Sequence, residues 1–247
     1  MLVRSLIAGL SLAAATTLAA LNASAAPVPD YIAKAVADPS RPADNRALDA
    51  HRKPLETLAF AGVKPGMTVG EFLPGGGYYT RMLSDVVGPN GKVYALETTR
   101  WGEDNVNATK AAIAGLKNVT LDLAPFGTFH LPEKADVFWT TDNYHDLHVE
   151  KYGKVDMAAF DKLVFDSLKP GGIYFIIDHA AAAGTGAKDA ATLHRIEMKT
   201  VIDEVTAAGF RLAGHSNALH NASDDHTKKV FDLHFNTDQF ILKFRKP

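Results

Sequence analysis

The sequence predicts an α/β fold, a doubly wound parallel sheet with helices on both faces. Three observations carry this reading. From residue 67 onward, short apolar runs alternate with segments of helical length, the pattern of strands joined by crossover helices. Some of those runs, Ile173–Ile177 above all, are apolar without a break, as strands covered on both faces are. Three consecutive glycines, Gly75-Gly76-Gly77, follow the first run, at the end of the strand where such sheets hold ligands.

The elements follow in order. Arg4 is the only charge before Asp30, an Ala/Leu-rich stretch runs from Ser5 to Leu21, and Ala23-Ser24-Ala25-Ala26-Pro27 comes next. A basic start, an apolar middle and an A-x-A end describe a secretory signal peptide over residues 1–26. Export is therefore expected, to a bacterial periplasm. No second apolar run reaches membrane length, so no stable membrane insertion is expected after cleavage. Residues 27–43 carry Pro27, Pro29, Pro39 and Pro42 and read as an extended arm, which with the start of a helix makes up residues 27–53. Asp44–Ala61 reads as that helix, with Pro54 as a kink or the first turn of a second helix and Gly62 as its cap.

The main domain, residues 54–247, then alternates. Strands are predicted over Met67–Phe72, Lys92–Leu96, Val119–Leu123, Ala135–Thr140 and Ile173–Ile177, and helices over Tyr78–Val87, Asp104–Leu116 and Asp156–Leu168. A long helix is predicted over Asp189–Ala208, on the spacing of Leu193, Ile196, Val201 and Val205, and Gly209 ends it. Phe210–Ala213 and Gln239–Phe244 close the chain as an antiparallel pair at one edge, joined through the polar loop Asn217–Thr227. Ligand-binding residues belong at the carboxyl ends of these strands, in 71–78, 97–102, 122–126, 141–148 and 178–186.

Composition removes several classes. The 247 residues include no cysteine, which excludes disulfides, thiolate metal sites and a cysteine nucleophile. With 26 basic against 28 acidic residues, a net charge of −2, the chain lacks the basic surface that nucleic acid requires. Neither a G-x-S-x-G elbow nor a G-x-x-x-x-G-K-[ST] loop occurs.

The glycine loop reads Glu71-Phe72-Leu73-Pro74-Gly75-Gly76-Gly77-Tyr78. Its glycines let backbone approach a ligand, or simply build a tight turn. Glu97, at the end of the second strand and about 20 residues past Gly77, stands where a carboxylate accepts the two hydroxyls of a ribose. Asp122 is either a contact to an adenine amino group or an outward strand residue. A nicotinamide dinucleotide is disfavoured: its third glycine would fall at Thr80, and clustered glycines suit a cofactor without a diphosphate.

On Glu71-x-x-x-Gly75-x-Gly77, Glu97 and Leu168-Lys169-Pro170-Gly171-Gly172, residues 54–247 resemble the class I S-adenosylmethionine-dependent methyltransferases. The Pro74-Gly75-Gly76-Gly77-Tyr78-Tyr79 loop is similar to that of a group of exported methyltransferase-like proteins. The resemblance implies a Rossmann-like sheet of about seven strands with the last antiparallel, and S-adenosylmethionine as cofactor. It implies that Glu71 supports the glycine loop or reaches the methionine amino group, that Gly75, Gly76 and Gly77 admit the methionine moiety, and that Glu97 holds the ribose. Leu73 departs from the family, which has a glycine there.

The densest polar cluster, Thr141-Asp142-Asn143-Tyr144-His145-Asp146-Leu147-His148, ends the fourth strand. Methyl transfer needs an aligned nucleophile and, where required, a base. His145 is the candidate base because histidine titrates near neutrality, Tyr144 the residue that orients the acceptor or covers the adenine, and Asn143 a cofactor contact similar to that of amine methyltransferases. The alternative is a helix cap with solvated histidines. Asp142, His145, Asp146 and His148 have metal-binding chemistry at a spacing common by chance, and no metal is expected. Asp178-His179 is the second choice for a base, Asp224-Asp225-His226 reads as turn chemistry, and Phe126, Phe129 and Trp139 as core or cleft wall. The expected partner is a small-molecule methyl acceptor. A non-enzymatic exported ligand-binding protein on the same fold is the competing reading.

Overall fold

The computed structural model describes residues 27–247, so the expected signal peptide over residues 1–26 lies outside the described residues. One seven-stranded sheet runs through the molecule in the order β3-β2-β1-β4-β5-β7-β6. Its strands are β1 (Thr68–Phe72), β2 (Lys92–Thr98), β3 (Val119–Ala124), β4 (Ala135–Thr141), β5 (Leu168–His179), β6 (Arg211–Ser216) and β7 (Gln239–Arg245). β1 to β5 pair in parallel, and β7 is antiparallel to both of its neighbours, β5 and β6. The last strand is thus antiparallel as expected, but it inserts between β5 and β6 and is not itself an edge.

The helices are α1 (Asp30–Ala37), α2 (Ala43–Ala47), α3 (Asp49–Arg52), α4 (Pro54–Ala61), α5 (Tyr78–Val87), α6 (Glu103–Ile113), α7 (Met157–Ser167), α8 (Ala190–Leu193) and α9 (Met198–Ala207). Two cores flank the sheet. On one face Val69, Trp139, Phe175, Ile177 and Ile241 meet Ile32 of α1, Leu58 of α4 and Met82, Leu83 and Val86 of α5. On the other, Phe72, Phe138, Tyr174, Ile176 and Leu242 meet Phe160 and Val164 of α7 and Val201 and Val205 of α9. Alternate residues of one strand serve opposite cores, which is why the central strands read as unbroken apolar runs.

Three expectations are corrected. Residues 30–37 are helical, not an extended arm. Pro27 and Pro29 stand before α1 and Pro39 and Pro42 after it, where a missing N–H costs nothing, and Ile32 and Ala35 bury against the domain. β5 starts at Leu168, ahead of the expected Ile173, because Ala135 pairs with Leu168 across a register shift that absorbs the Pro-Gly-Gly segment. The predicted long helix is broken. Between α8 and α9 the chain extends, and Ile196 pairs in parallel with Ala180 at the end of β5. Arg195, fully buried, fixes the break by donating to the carbonyls of Ala180 and Lys228 and to Asp224.

Candidate active site

The carboxyl ends of β1, β2, β4 and β5 converge on one edge of the sheet. β1 delivers Glu71 and then Leu73, whose N–H donates to the Leu96 carbonyl at 2.8 Å. Leu73 takes a left-handed conformation, φ 52°, with its side chain in the core. A glycine adopts that conformation without strain; here the buried side chain offsets the cost. Pro74 accepts from Gly77 N–H at 3.0 Å, and Gly77 (φ 72°) starts α5. A Cβ on Gly77 would stand 2.6 Å from Ala112 Cβ, whereas one on Gly75 or Gly76 would meet nothing within 4 Å. The loop is therefore packed at its end and open along Gly75-Gly76.

Glu71 is buried, its Oε2 has no hydrogen-bond partner among the described residues, and burial pushes its carboxyl up to about 7. Glu97 is 2% exposed. Its Oε1 accepts from Thr98 N–H at 2.8 Å and its Oε2 lies 2.9 Å from Thr109 Oγ1 of α6. That hydroxyl is also 3.0 Å from the Gly75 carbonyl and, having one proton, donates to one of them at a time. Glu97 thus ties β2, α6 and the glycine loop together, and each of its oxygens has acceptor capacity beyond these contacts.

Three other sequence candidates lie elsewhere in the network. Asp122 accepts from His130 N–H at 3.0 Å through its Oδ2 and braces the β3–β4 loop. Asn143 is beside the glycine loop, donating to the carbonyls of Leu73 at 3.1 Å and Thr141 at 2.6 Å. Tyr144 is fully buried, with its hydroxyl 2.9 Å from both Asp161 Oδ2 and Glu204 Oε2. It holds the turn after β4 to α7 and α9 and touches no open space, which corrects its assignment to the acceptor. His148, solvated only under the alternative helix-cap reading, joins the same network at 3.2 Å from Glu204.

His145 does face open space. It lines a cavity of about 530 Å³ with Asp142, Asp146, His179, His194, Arg52 and Trp101 among its walls, a size that accommodates a small-molecule ligand. Its Nδ1 is 2.7 Å from Asp178 Oδ1, and its backbone N–H donates to Asp178 Oδ2 at 2.7 Å. Burial opposes charge on His145, but the Asp178 carboxylate outweighs it and raises the imidazole to about 9. At neutral pH the ring favours the charged form, so it is not the ready base that the sequence suggested. Burial, reinforced by His145, lowers His194 to about 4. Burial raises Asp146 to about 6 against the pull of His145.

Sequence reasoning missed His194. It sits at the αL position where α8 stops (φ 57°), with its Nδ1 3.3 Å from His145 Nε2. Arg52, also missed, lies 3.4 Å from Asp142 and 5.0 Å over the Tyr78 ring, so the N-terminal segment joins the first turn of α5 to the cavity wall. Of the aromatic residues, Trp139 and Phe129 are core, and Phe126 packs edge-on against Trp101 at 5.2 Å.

No family model and no curated protein matches the chain. Solved structures match its fold. A SAM-dependent methyltransferase from Aquifex aeolicus superposes with a TM-score of 0.57 at 22% identity, over 88% of this chain and 98% of its own. Fibrillarin from Aeropyrum pernix, crystallised with natively bound S-adenosyl-L-methionine, gives 0.52 at 17% identity over 79% and 76%. The [4+2]-cyclase SpnF gives 0.57 at 16% identity over 83% and 81%. Identities this low speak for architecture alone: this chain shares the Rossmann-like fold of these structures, among them SAM-dependent methyltransferases.

Proposed function

We propose that this protein is an exported enzyme that transfers a methyl group from S-adenosylmethionine to a small-molecule acceptor held in the cavity beside β4 and β5. The observation that carries the reading is the glycine loop. Gly75 and Gly76 leave open space where any side chain would project, and Glu71, on the strand that leads into this loop, carries a buried oxygen that lacks a partner among the described residues. That is a cradle with an unmet acceptor, suited to the amino-acid end of the cofactor. Glu97 is the ribose ligand, and Asn143 keeps the loop in place. When bound, the cofactor supplies an electrophilic methyl carbon. The chain's own part is to orient the acceptor: the wall of His145, Asp146, His179 and His194 binds its polar groups, and Asp178 fixes the His145 ring. Phe231 and Phe235, exposed beside the cavity, supply apolar contact.

S-adenosylhomocysteine should raise the melting temperature of the purified protein, as any ligand of the native state does, and Glu97→Ala should abolish that shift. A second reading, an exported binding protein on a methyltransferase fold, is favoured by two observations: Glu97 is engaged by Thr98 and Thr109, and Leu73 replaces the family's glycine. Under that reading a ligand of the cavity stabilises wild type and Glu97→Ala alike, and S-adenosylhomocysteine stabilises neither.

A further inference from the structure

We propose that His145, Asp146 and His194 bind one divalent transition-metal cation of the zinc class, with the remaining coordination position open to the cavity. The three donor atoms form a compact triangle. His145 Nε2 lies 3.3 Å from His194 Nδ1 and 3.3 Å from Asp146 Oδ1, and the latter two are 3.7 Å apart. Donors held at about 2.0–2.2 Å from a tetrahedral ion stand roughly 3.3–3.6 Å from one another. One ion therefore fits this triangle with side-chain adjustments of tenths of an ångström. Two imidazoles and a carboxylate, with a further position left for water or a ligand atom, are the donor set of catalytic rather than structural zinc sites. Imidazole donors also select against magnesium and calcium.

The surroundings support the same conclusion independently. Among the described residues Asp146 Oδ1 is buried without a hydrogen-bond partner, and a buried carboxylate oxygen in that position is costly. A cation between the three groups satisfies it. Asp178, fully buried, stands 2.7 Å from His145 Nδ1. Accepting the Nδ1 proton, it leaves Nε2 as the nitrogen that gives up its proton to an incoming cation, which is the carboxylate–histidine–metal relation. His194 is held from behind. Its neighbour Arg195 is locked to Ala180, Lys228 and Asp224, and the Phe231 ring packs on its own at 4.7 Å. The ligands come from two segments about fifty residues apart in the chain, so only the folded protein presents them together. All three line the cavity, so the open position faces whatever small molecule the cavity takes.

The inference does not depend on methyl transfer, because metal binding is read without S-adenosylmethionine. The purified protein, stripped with a chelator, is titrated with Co²⁺ and then Zn²⁺. One equivalent of Co²⁺ should give the intense visible absorption of four- or five-coordination, one equivalent of Zn²⁺ should bleach it, and Mg²⁺ should leave it unchanged. His194→Ala and Asp146→Asn should each weaken Zn²⁺ binding at least about 100-fold, Asp178→Asn by about 10–100-fold, and His215→Ala, away from the triangle, not at all. Circular dichroism establishes that each variant is folded. His194→Ala, which removes a ring from the cavity wall and not from the core, decides the matter even where Asp178→Asn fails to fold. Wild-type protein that takes up no Co²⁺ with such a spectrum, or folded His194→Ala that binds Zn²⁺ as tightly as wild type, would overturn the proposal.

Discussion

Glu71 and Tyr144 show how burial decides what a side chain does at this site. Burial moves the Glu71 carboxyl from its ordinary 4.5 to about 7, so the native state holds that proton more tightly than the unfolded chain. Its contribution to stability is fully present below about pH 4.5 and is lost as pH rises through about 7. Glu71→Gln should therefore come close to wild type at pH 4.5 and exceed it by roughly 3 kcal/mol at pH 8, since a shift of two to three pKa units is worth about 1.4 kcal/mol per unit. Urea unfolding at the two pH values checks this, and a difference that does not change with pH would contradict it. Tyr144→Phe should cost about 1–3 kcal/mol, because the hydroxyl that Asp161 and Glu204 share, donating its one proton to either of them, is lost. The same variant should leave ligand binding in the cavity unchanged, which separates its bracing role from the acceptor role that the sequence suggested. That error has a physical source. Tyr144 sits inside a polar octapeptide, and nothing local reveals that its partners come from 17 and 60 residues further along the chain.

Elements were legible where their signal is local. Strand ends are marked by the step from apolar to acidic residues, and Glu71, Glu97, Asp142 and Asp178 all lie where the sequence placed them, at the carboxyl edge. α1 and the break after α8 were not legible, because both depend on distant partners. Prolines on either side of Asp30–Ala37 suggest an extended arm until Ile32 is found packed in the core. Ile32→Ala should accordingly cost about 2–4 kcal/mol, measured by chemical denaturation. An arm lying loosely on the surface would lose almost nothing. The glycine loop makes a two-sided prediction. Leu73→Gly relieves a left-handed backbone worth about 1 kcal/mol but removes a buried side chain worth about 2–5 kcal/mol. The variant should be less stable overall, and it should bind S-adenosylhomocysteine at least as well as wild type, since the loop then carries the family's residue. A melting curve and a binding titration on the same preparation test both halves.

Across the whole molecule, the strand order with β7 inserted antiparallel brings two chemistries to one edge of the sheet. The glycine loop, Glu71 and Glu97 gather on the β1–β2 side, and the His145–Asp146–His194 cavity on the β4–β5 side. Arg52 bridges them from the N-terminal segment, through Asp142 and the Tyr78 ring. Alternation of strand and helix made this architecture readable from the chain alone, whereas the cavity's composition required the fold, because His194 and His145 meet only across the end of β5. The central claim is that a nucleoside cofactor is bound where β1 and β2 end. Calorimetric titration of S-adenosylhomocysteine into the folded protein tests it most directly. The account predicts saturable one-to-one binding that Glu97→Gln weakens; a flat titration with protein that circular dichroism shows to be folded would contradict it.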